Sequence, residues 1–459
     1  MQNMTEGQLR VLTYSHIYQF PTVGLASDDS VTKAELRVSN DAFWLRLCLM
    51  SDLGFSEAYM YGEVECDDLV SLHLQIFLAN RESLSNMSST ISYLFTLPQK
   101  LTSYRFLNTI GNSRSNISAH YDISNEMFAG FLSQDMTYSC AIFKDLDGDM
   151  KDGVARSEWS GGQGLRRLGK STPASAPQGE AQSEEDELYE AQIRKLSHII
   201  EKTRIQPGNR VLEIGSGWGS MAILIAQTVP ETTVDTLTLS VQQQSLARER
   251  IAAAGLSDRI KVHLMDYRHM PPEWQGSFDR VVSIEMIEAV GSEFLVGYWK
   301  IVDWAMKPKG GVGCVQVITI PERRFERYIR EMDFIRKWVI FPGGFLPTLT
   351  LLLQSMNEGS SGRLVVDSVS NIGPHYARTL REWRRRFLSQ FESVIVPALK
   401  REYPDVMNGP RGKEEIEVFK RKWICTCYCE VGFTSRTLGD HIITFTREGC
   451  TDYGCTVYE

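Results

Sequence analysis

The sequence predicts an α/β protein whose main domain is a doubly wound parallel sheet, preceded by a small N-terminal α+β unit. From residue 188 to about 320, helical segments alternate with strand-like segments, which read RVLEIG, TVDTLTLS, IKVHLMD, FDRVVSIEM and GGVGCVQVITI. Strands separated by helices of this length are typical of a parallel, doubly wound sheet. A glycine-rich turn after the first strand indicates a ligand site where the strands end.

The elements of the main domain carry local signals. Residues 183–187 can cap the helix LYEAQIRKLSHIIEKTRI, and Pro207-Gly208 turns the chain into the first strand. The helices SMAILIAQTV and QQQSLARERIAAAG follow the first and second strands. Beyond Pro321 the chain is helical and basic, and two strand-like runs close it, near KWICTCYCEVGF and HIITFTRE.

Differences in composition indicate separate regions in the part of the chain that precedes the main domain. Residues 1–110 combine the strand-like run AELRVSN with the apolar helix LVSLHLQIFLANRE, for which Asp67 or Asp68 is a reasonable N-cap. Residues 145–187 are rich in Gly, Ser, Pro, Gln and acidic residues, so we expect a disordered insertion. Segment 111–144 lies between these regions, and residues 188–459 form the main domain.

Charge and hydropathy exclude some classes of protein. The formal net charge of −8 argues against nucleic acid as a general partner. No run of about 18 or more apolar residues occurs, and the first residues lack the basic start and apolar run of a secretory signal. We therefore expect a cytoplasmic protein that reaches a membrane-embedded substrate from the membrane surface.

The cysteines favour a reducing compartment. Their number, nine, is odd, and they are scattered along the chain. Cys425, Cys427 and Cys429 alternate, which would place them on one face of a strand, where sulfur atoms could bind a metal ion. Because the CxxC spacing of zinc sites is absent, buried strand residues are the favoured interpretation and no metal site is predicted.

The segment from Val211 to Gly219 reads as a strand, a glycine turn and a helix start. Gly215 and Gly217 let the backbone approach a ligand where a Cβ atom would collide. A dinucleotide site would prefer GxGxxG. Here the spacing is GSGWG, with Glu213 two residues before the first glycine, which is the E-x-G-x-G-x-G pattern of class I S-adenosylmethionine methyltransferases.

The next two strand ends support this interpretation. Leu239 and Gln243 follow the second strand, where class I enzymes hold the ribose. Asp266 and Tyr267 end the third strand, where the adenine usually lies. Three successive strand ends converge on one crevice, as the switch-point rule requires of a doubly wound sheet.

Further motifs resemble a specific family, the cyclopropane fatty acid synthases and mycolic acid cyclopropane synthases. They occur in the family's order and are His120–Asn125 (HYDISN), Met136–Cys140 (MTYSC), Glu285–Gly291 (EMIEAVG), Ile318–Pro321 (ITIP), Phe341–Gly344 (FPGG) and Gly373–Thr379 (GPHYART). The resemblance covers about residues 30 to 447. It implies the class I methyltransferase fold with a helical lipid-side cap, an N-terminal lipid-associated domain and an active-site lid at 111–144.

The resemblance also implies the roles of individual residues. Tyr138 and Ser139 would close over the methionine end of the cofactor, and the rest of its site would be lined by Gly215, Gly217, Leu239, Gln243, Tyr267 and Ile284. A bicarbonate ion beside the methyl group would be held by Cys140, Glu288, Gln316, Ile318 and Tyr376. Gln316 and Ala289 stand where many relatives have histidine, and glutamine cannot take up a proton near neutral pH.

The implied chemistry determines what these residues must do. An alkene is a poor nucleophile, and its attack on a sulfonium methyl leaves a carbocation, which needs a dry apolar pocket and a base. We expect Glu288, with Tyr376 as its hydrogen-bonding partner, to hold and polarise the small base or to act directly. Cys140 is assigned to packing or ion contact rather than nucleophilic attack.

The arginines at 378, 381, 384, 385 and 386 have two interpretations. A solvated surface is favoured, because runs of charged residues are usually exposed. Contact with a phospholipid headgroup is the alternative.

The sequence therefore predicts an S-adenosylmethionine-dependent enzyme that converts an unsaturated acyl chain of a phospholipid to its cyclopropane. The alternatives are a methyltransferase of the same fold that acts on carbon or nitrogen of another lipid, isoprenoid or amine, and a lipid-binding protein without activity. The expected partner is a phospholipid or other lipid at a membrane surface, and a homodimer is left open.

Overall fold

A computed structural model of the protein describes residues 7–20, 33–66, 69, 72, 80, 124–151, 186–339 and 344–451. The N-cap expected at Asp67 or Asp68, most of the apolar helix after it and the motif beginning at His120 lie outside these residues, as does most of the predicted insertion.

The N-terminal unit is a four-stranded sheet covered by one long helix. Its strands, in the order β2-β1-β3-β4, are β1 (Gln8–Leu12), β2 (Ile17–Phe20), β3 (Lys33–Val38) and β4 (Val64–Cys66), and its helix is α1 (Ala42–Met60). Leu9, Leu36 and Phe43 are buried in a core between the sheet and the helix. The α+β fold predicted for this part of the chain is therefore confirmed.

The main domain is built on a seven-stranded sheet with the order β10-β11-β9-β8-β5-β6-β7. The strands are β5 (Arg210–Ile214), β6 (Thr233–Thr238), β7 (Ile260–Leu264), β8 (Arg280–Ile284), β9 (Val312–Thr319), β10 (Leu364–Asn371) and β11 (Gly439–Arg447). Strands β5 to β9 pair in parallel, as the sequence predicts. The strand order reverses at β5, so the carboxyl ends of β5 and β8 flank the switch point at which doubly wound sheets bind ligands.

The other edge of this sheet departs from the all-parallel prediction. Strand β11 pairs antiparallel with both β9 and β10. The sequence analysis missed β10, an edge strand in which only Leu364 is buried and buried or half-buried positions alternate with exposed ones. Its sequence, LVVDSVSN, therefore lacks the apolar run by which the central strands were recognised.

Helices cover both faces of the sheet and extend beyond it. They are α2 (Asn125–Ala129), α3 (Gly148–Lys151), α4 (Glu187–Lys202), α5 (Ser220–Thr228), α6 (Val241–Ala253), α7 (Leu295–Ala305), α8 (Glu322–Arg330), α9 (Phe334–Trp338), α10 (Leu349–Gly359), α11 (Gly373–Ser389), α12 (Val396–Glu402), α13 (Pro404–Met407), α14 (Gly412–Cys427) and α15 (Glu430–Thr434). Asp186 caps α4 by accepting a hydrogen bond from the backbone N–H of Tyr189, within the predicted capping segment.

The strand predicted at KWICTCYCEVGF is wrong. This segment is the end of α14, a turn and the short helix α15. Phe419, Trp423 and Cys427 recur every four residues and are buried, which is helical rather than strand periodicity. The alternation of cysteines therefore does not place their sulfur atoms on one face of a strand.

The arginines of α11 are not a solvated surface, and they are not free for lipid headgroups. Arg378 is completely buried and its guanidinium lies 2.5 Å from the carboxylate of Glu187. Arg381 pairs with Asp149 at 2.6 Å, and Arg384 pairs with buried Glu430 at 2.6 Å. Arg385 is paired too, with Glu382, although it is more exposed. Both interpretations drawn from the sequence are therefore wrong for most of this run, because acidic residues of α11 itself and of three other segments neutralise it internally.

The start of the predicted insertion is ordered. Residues 145–151 include α3, and Asp149 and the backbone carbonyl of Asp145 accept hydrogen bonds from Arg381 and Arg378 of α11. These ion pairs compensate for the lack of apolar side chains, so the prediction of disorder is wrong for these seven residues. Residues 152–185 lie outside the described part of the chain.

None of the helices in the described ranges has both the length and the hydrophobicity that crossing a bilayer requires.

Replacing Arg384 by methionine should strongly destabilise the main domain. The variant leaves the Glu430 carboxylate buried without its cation, which typically costs about 3–5 kcal/mol of unfolding free energy. Arg385→Met is the matched control, because that side chain is 43% exposed and its ion pair contributes about 1 kcal/mol or less. Urea denaturation monitored by fluorescence measures both, and equal stability of the two variants would contradict the assignment.

Candidate active site

The glycine turn after β5 forms one wall of a cavity. Gly215, Gly217 and Gly219 all have positive φ angles, of 101°, 47° and 88°, which favour glycine. A Cβ atom at Gly215 would lie 3.2 Å from the Cβ atom of Met286. The turn can therefore follow this path only with glycine at these positions, and it leaves space above the carboxyl ends of β5 and β8.

All nine predicted cofactor residues line this one cavity. They are Tyr138, Ser139, Glu213, Gly215, Gly217, Leu239, Gln243, Tyr267 and Ile284. They come from the segment before α4 and from the ends of four parallel strands. The fold therefore brings together residues that are up to 146 positions apart in the sequence, Tyr138 and Ile284 being the most distant pair. Their roles toward a cofactor remain predictions.

Glu213 supplies a carboxyl group to the wall of the cavity. It is buried, and its Oε2 atom has no hydrogen-bond partner in the part of the chain that the structure describes. Burial raises the pKa of Glu213 to about 8, although the nearby Thr236 hydroxyl and Lys195 ammonium lower it. An orphaned carboxylate oxygen in a cavity is suited to the α-ammonium group of a bound amino acid, so the residues present fit S-adenosylmethionine.

Lys195 is a cavity residue that the sequence analysis missed. It is fully buried in α4, and its Nζ atom donates a hydrogen bond of 2.6 Å to Ser139 Oγ. Gln192, one turn earlier, donates from Nε2 to the backbone carbonyl of Ser139 at 2.8 Å. The signal was available, because both residues fall on the helix face that also buries Ala191 and Leu196. They fix the 136–140 segment over the cavity.

The opposite end of the cavity is held by polar contacts between strand ends. Gln243 Oε1 accepts a hydrogen bond of 2.8 Å from the Thr238 hydroxyl, which fixes its amide group at the cavity wall. Asp266 pairs with Arg268 at 2.6 Å, and the ring of Tyr267 packs edge-on against Tyr298. This is the end at which the sequence predicts the ribose and adenine.

Glu285 lies where the cavity meets a buried polar cluster. Its Oε1 atom accepts hydrogen bonds from the backbone N–H of Cys140 and from Gln316 Nε2, both at 2.8 Å. Its Oε2 atom accepts from the Tyr376 hydroxyl at 2.7 Å. Its φ angle is +46°, a left-handed conformation that costs an ordinary residue on the order of 1 kcal/mol. Glu285 is part of the EMIEAVG motif, but no role was predicted for it from the sequence.

Asp440, at the start of β11, is the second carboxyl group of the cluster and was also missed. Gln316 Nε2 donates to Asp440 Oδ2 at 2.8 Å as well as to Glu285, so one amide group bridges two acids. Burial and repulsion from Glu285 raise the pKa of Asp440 well above its usual range. Asp440 is therefore a buried acid next to Glu285 whose ionisation the site opposes. It lies in a strand without a recognisable motif, so no local pattern could have identified it.

The expected pair of Glu288 and Tyr376 is wrong, because the tyrosine bonds to Glu285. Glu288 instead accepts a hydrogen bond of 2.5 Å from the backbone N–H of Ile318. Its Oε2 atom has no hydrogen-bond partner among the described residues, and burial together with repulsion from Glu285 raises its pKa to about 8. Glu288 is not among the residues that line the cavity.

Cys140 is completely buried, and burial raises the pKa of its thiol well above the usual range. A thiol that resists ionisation is a poor nucleophile. The geometry therefore favours the packing role that the sequence analysis assigned to it.

The residues expected to hold bicarbonate do not fit that ion. The donors of Cys140, Gln316 and Tyr376 already bond to the Glu285 carboxylate, and the Ile318 N–H bonds to Glu288. An added anion would also face the negative charge of Glu285 at close range. The described structure therefore gives no support to a bicarbonate site.

Comparison with known proteins decides the family. The family model described as mycolic acid cyclopropane synthetase matches residues 109–403. The chain belongs to this family. The tuberculostearic acid methyltransferase UfaA1 of Mycobacterium tuberculosis is 33% identical over 410 residues, which cover 89% of this chain and 82% of the relative. The cyclopropane-fatty-acyl-phospholipid synthase of Escherichia coli K12 is 30% identical over 373 residues, 81% of each chain.

A solved structure agrees on the fold. The cyclopropane synthase MmaA2 from Mycobacterium tuberculosis superposes with a TM-score of 0.54 at 22% identity, over 72% of this chain and 97% of its own. The protein is therefore an S-adenosylmethionine-dependent methyltransferase of the cyclopropane synthase family with the class I fold.

Replacing Glu213 by glutamine should weaken binding of S-adenosylhomocysteine, which carries the same amino acid group as the methyl donor. Loss of a charge-assisted hydrogen bond to the ammonium should raise the dissociation constant by roughly 10- to 100-fold. Isothermal titration calorimetry measures it, with exposed Glu273→Gln as the control.

The same titration should depend on pH in the unaltered protein. Because the pKa of Glu213 is raised to about 8 before binding, its carboxyl group is mostly protonated near pH 6 and must lose that proton to pair with the ammonium. Affinity should therefore increase from about pH 6 to about pH 8, and the increase should be absent in Glu213→Gln. A pH-independent affinity in the unaltered protein would contradict this assignment.

Proposed function

We propose that the protein transfers the methyl group of S-adenosylmethionine to a carbon–carbon double bond in an unsaturated acyl chain of a phospholipid. The observation that carries the proposal is that a buried carboxylate, Glu285, belongs both to the cavity lined by the cofactor residues and to a cluster of proton-holding groups. The names of the two sequence relatives support a fatty acyl substrate.

The proposed reaction requires the methyl donor to be held and shielded. S-adenosylmethionine supplies an electrophilic methyl group when bound. Glu213 and the glycine turn would hold its amino acid portion, and the 136–140 segment, fixed by Lys195 and Gln192, would cover it. Packing of Tyr138 helps to hold this segment in place. The centre of its ring lies 5.0 Å from the ring centre of Trp383 and 5.3 Å from that of Phe128.

The part of the cavity beside Glu285 suits a carbocation. Ile284, Met286 and Val290 line it with apolar side chains that would exclude water from a reactive cation. Behind Glu285, the ring of Tyr376 is stacked on Phe433 at 4.5 Å, which fixes the direction of its hydroxyl group.

Two products are consistent with this chemistry, and both require loss of a proton from the substrate. Loss from the new methyl group with ring closure gives a cyclopropane, which is the product we propose. Loss without ring closure leaves a double bond, either as a methylene group or beside a methyl branch. The second product is favoured by one observation, that a relative covering 89% of this chain is named a tuberculostearic acid methyltransferase.

The decisive assay uses the purified protein, methyl-labelled S-adenosylmethionine and vesicles of an unsaturated phospholipid. We expect the released fatty acids to gain one labelled CH₂ in mass spectrometry. A labelled product that survives mild catalytic hydrogenation is a cyclopropane, whereas one that gains hydrogen is an alkene formed without ring closure. Label found only on added amines, or no labelled fatty acid at all, would contradict the proposal.

We also propose that the protein meets this substrate as a cytoplasmic protein associating transiently with the membrane surface. The hairpin of β1 and β2 exposes Tyr14, Ile17 and Tyr18, three large apolar side chains within five residues of sequence. Exposed apolar side chains of this size can insert into the interfacial region of a bilayer.

Replacing Ile17 and Tyr18 together by glutamate should weaken binding to phospholipid vesicles by about tenfold or more, because two apolar side chains no longer enter the bilayer. Vesicle co-sedimentation measures the effect. Val406→Glu, at an exposed apolar position in α13, serves as the control. Unchanged sedimentation of the double variant would remove this hairpin from the membrane contact.

A further inference from the structure

Glu285 occupies the position for which the family resemblance implies an external anion. Three of the five residues expected to surround bicarbonate, Cys140, Gln316 and Tyr376, donate hydrogen bonds to its carboxylate. A fourth, Ile318, donates to Glu288. The pocket thus retains its donors, but a side chain of the protein accepts from them.

We propose that the Glu285 carboxylate is the built-in catalytic base of this enzyme and removes the proton from the substrate in place of bicarbonate. This inference rests on the proposed function, since it assigns the base for methyl transfer to a double bond. It differs from the sequence-based expectation, in which Glu288 and Tyr376 hold or replace a small ion.

The backbone at Glu285 supports a functional role. The φ angle of +46° is one that glycine adopts freely and glutamate does not. The chain nevertheless carries a glutamate here, directly after β8, and its side chain reaches both the cavity and the buried cluster. Local strain held in place by surrounding hydrogen bonds is a feature of functional sites rather than of ordinary turns.

Of the three acids in the cluster, Glu285 is the one placed to accept a proton from the substrate. Glu285 lines the cavity, whereas Asp440 and Glu288 are not among its lining residues. Burial raises the pKa of Glu285, and its hydrogen-bond donors and the buried Lys195 ammonium limit that rise. The result is an anion whose basicity exceeds that of an exposed carboxylate, which suits general base catalysis.

The reaction balances with this one base. The π electrons of the alkene form a bond to the methyl carbon, the sulfur–carbon bond breaks with its electron pair going to sulfur, and the second alkene carbon becomes a cation. Glu285 then takes a proton from the transferred methyl group, and the electrons of that C–H bond close the ring onto the cationic carbon. Glu285 returns the proton to solvent when the products leave.

Two variants at this position test the proposal. Glu285→Gln keeps the size of the side chain but removes the base, so turnover should fall by about 100-fold or more while S-adenosylhomocysteine still binds. Glu285→Gly relieves the left-handed backbone and frees the donors of Cys140, Gln316 and Tyr376. In buffer depleted of carbon dioxide it should be inactive, and added bicarbonate should restore turnover. The control is Glu293→Gln, at an exposed position eight residues later.

The unaltered enzyme should respond to bicarbonate differently from Glu285→Gly. Its turnover should be the same with and without bicarbonate, and carbon-13 NMR with labelled bicarbonate should show binding to Glu285→Gly but not to the unaltered enzyme. The proposal is overturned if Glu285→Gln keeps full turnover, or if removing carbon dioxide inactivates the unaltered enzyme. Failure of the unaltered enzyme to label any acyl chain would instead refute the proposed function, so the two failures are distinguishable.

Discussion

The hydrogen bonds of the Glu285 carboxylate join the parts of the molecule on which the candidate active site depends. They connect the end of β8 with Gln316 of β9, Tyr376 of α11 and the backbone of the segment that covers the cavity. Through Gln316 they also reach Asp440 of β11. Five separate stretches of chain, including the end of β8, are therefore joined through one buried carboxylate that lines the cavity.

Burying a carboxylate lowers the stability of the fold, and the residues around Glu285 limit this loss. Three acids, Glu285, Glu288 and Asp440, lie in one cluster, where burial raises the pKa of each. Repulsion from Glu285 raises the pKa values of Glu288 and Asp440 further. The buried ammonium of Lys195 opposes this rise for Glu285 and Asp440. A site with several acids and one lysine holds protons close to the cavity, which is what a reaction that must remove a proton in a dry pocket requires.

Much of the fold and of the cofactor cavity could be predicted from the sequence, because both depend on local patterns. The glycine turn, Glu213 and the residues after β6 and β7 follow strands of recognisable periodicity, and the topology of a parallel sheet brings such strand ends together. The proton-handling cluster could not be predicted in the same way. Glu285 belongs to a motif that the sequence shows. However, Tyr376 bonds to Glu285 rather than to Glu288, and Glu285 has a left-handed backbone conformation that the sequence pattern does not reveal.

The remaining errors have related physical causes. Asp440 joins the cluster only through the antiparallel pairing of β11 with β9, a contact between residues more than a hundred positions apart. The arginines of α11 looked solvated because their acidic partners lie in distant segments, such as Glu187 and Glu430. The helix α14 was taken for a strand because three alternating cysteines masked the four-residue spacing of Phe419, Trp423 and Cys427.

The most direct test is a crystal structure of the protein with S-adenosylhomocysteine. The account predicts that the amino acid portion lies against Glu213 and the glycine turn, that the sulfur atom points toward Glu285, and that Glu285 keeps its bonds to Tyr376 and Gln316. A sulfur atom directed away from Glu285, or an anion bound between Cys140 and Tyr376 with Glu285 displaced, would contradict it.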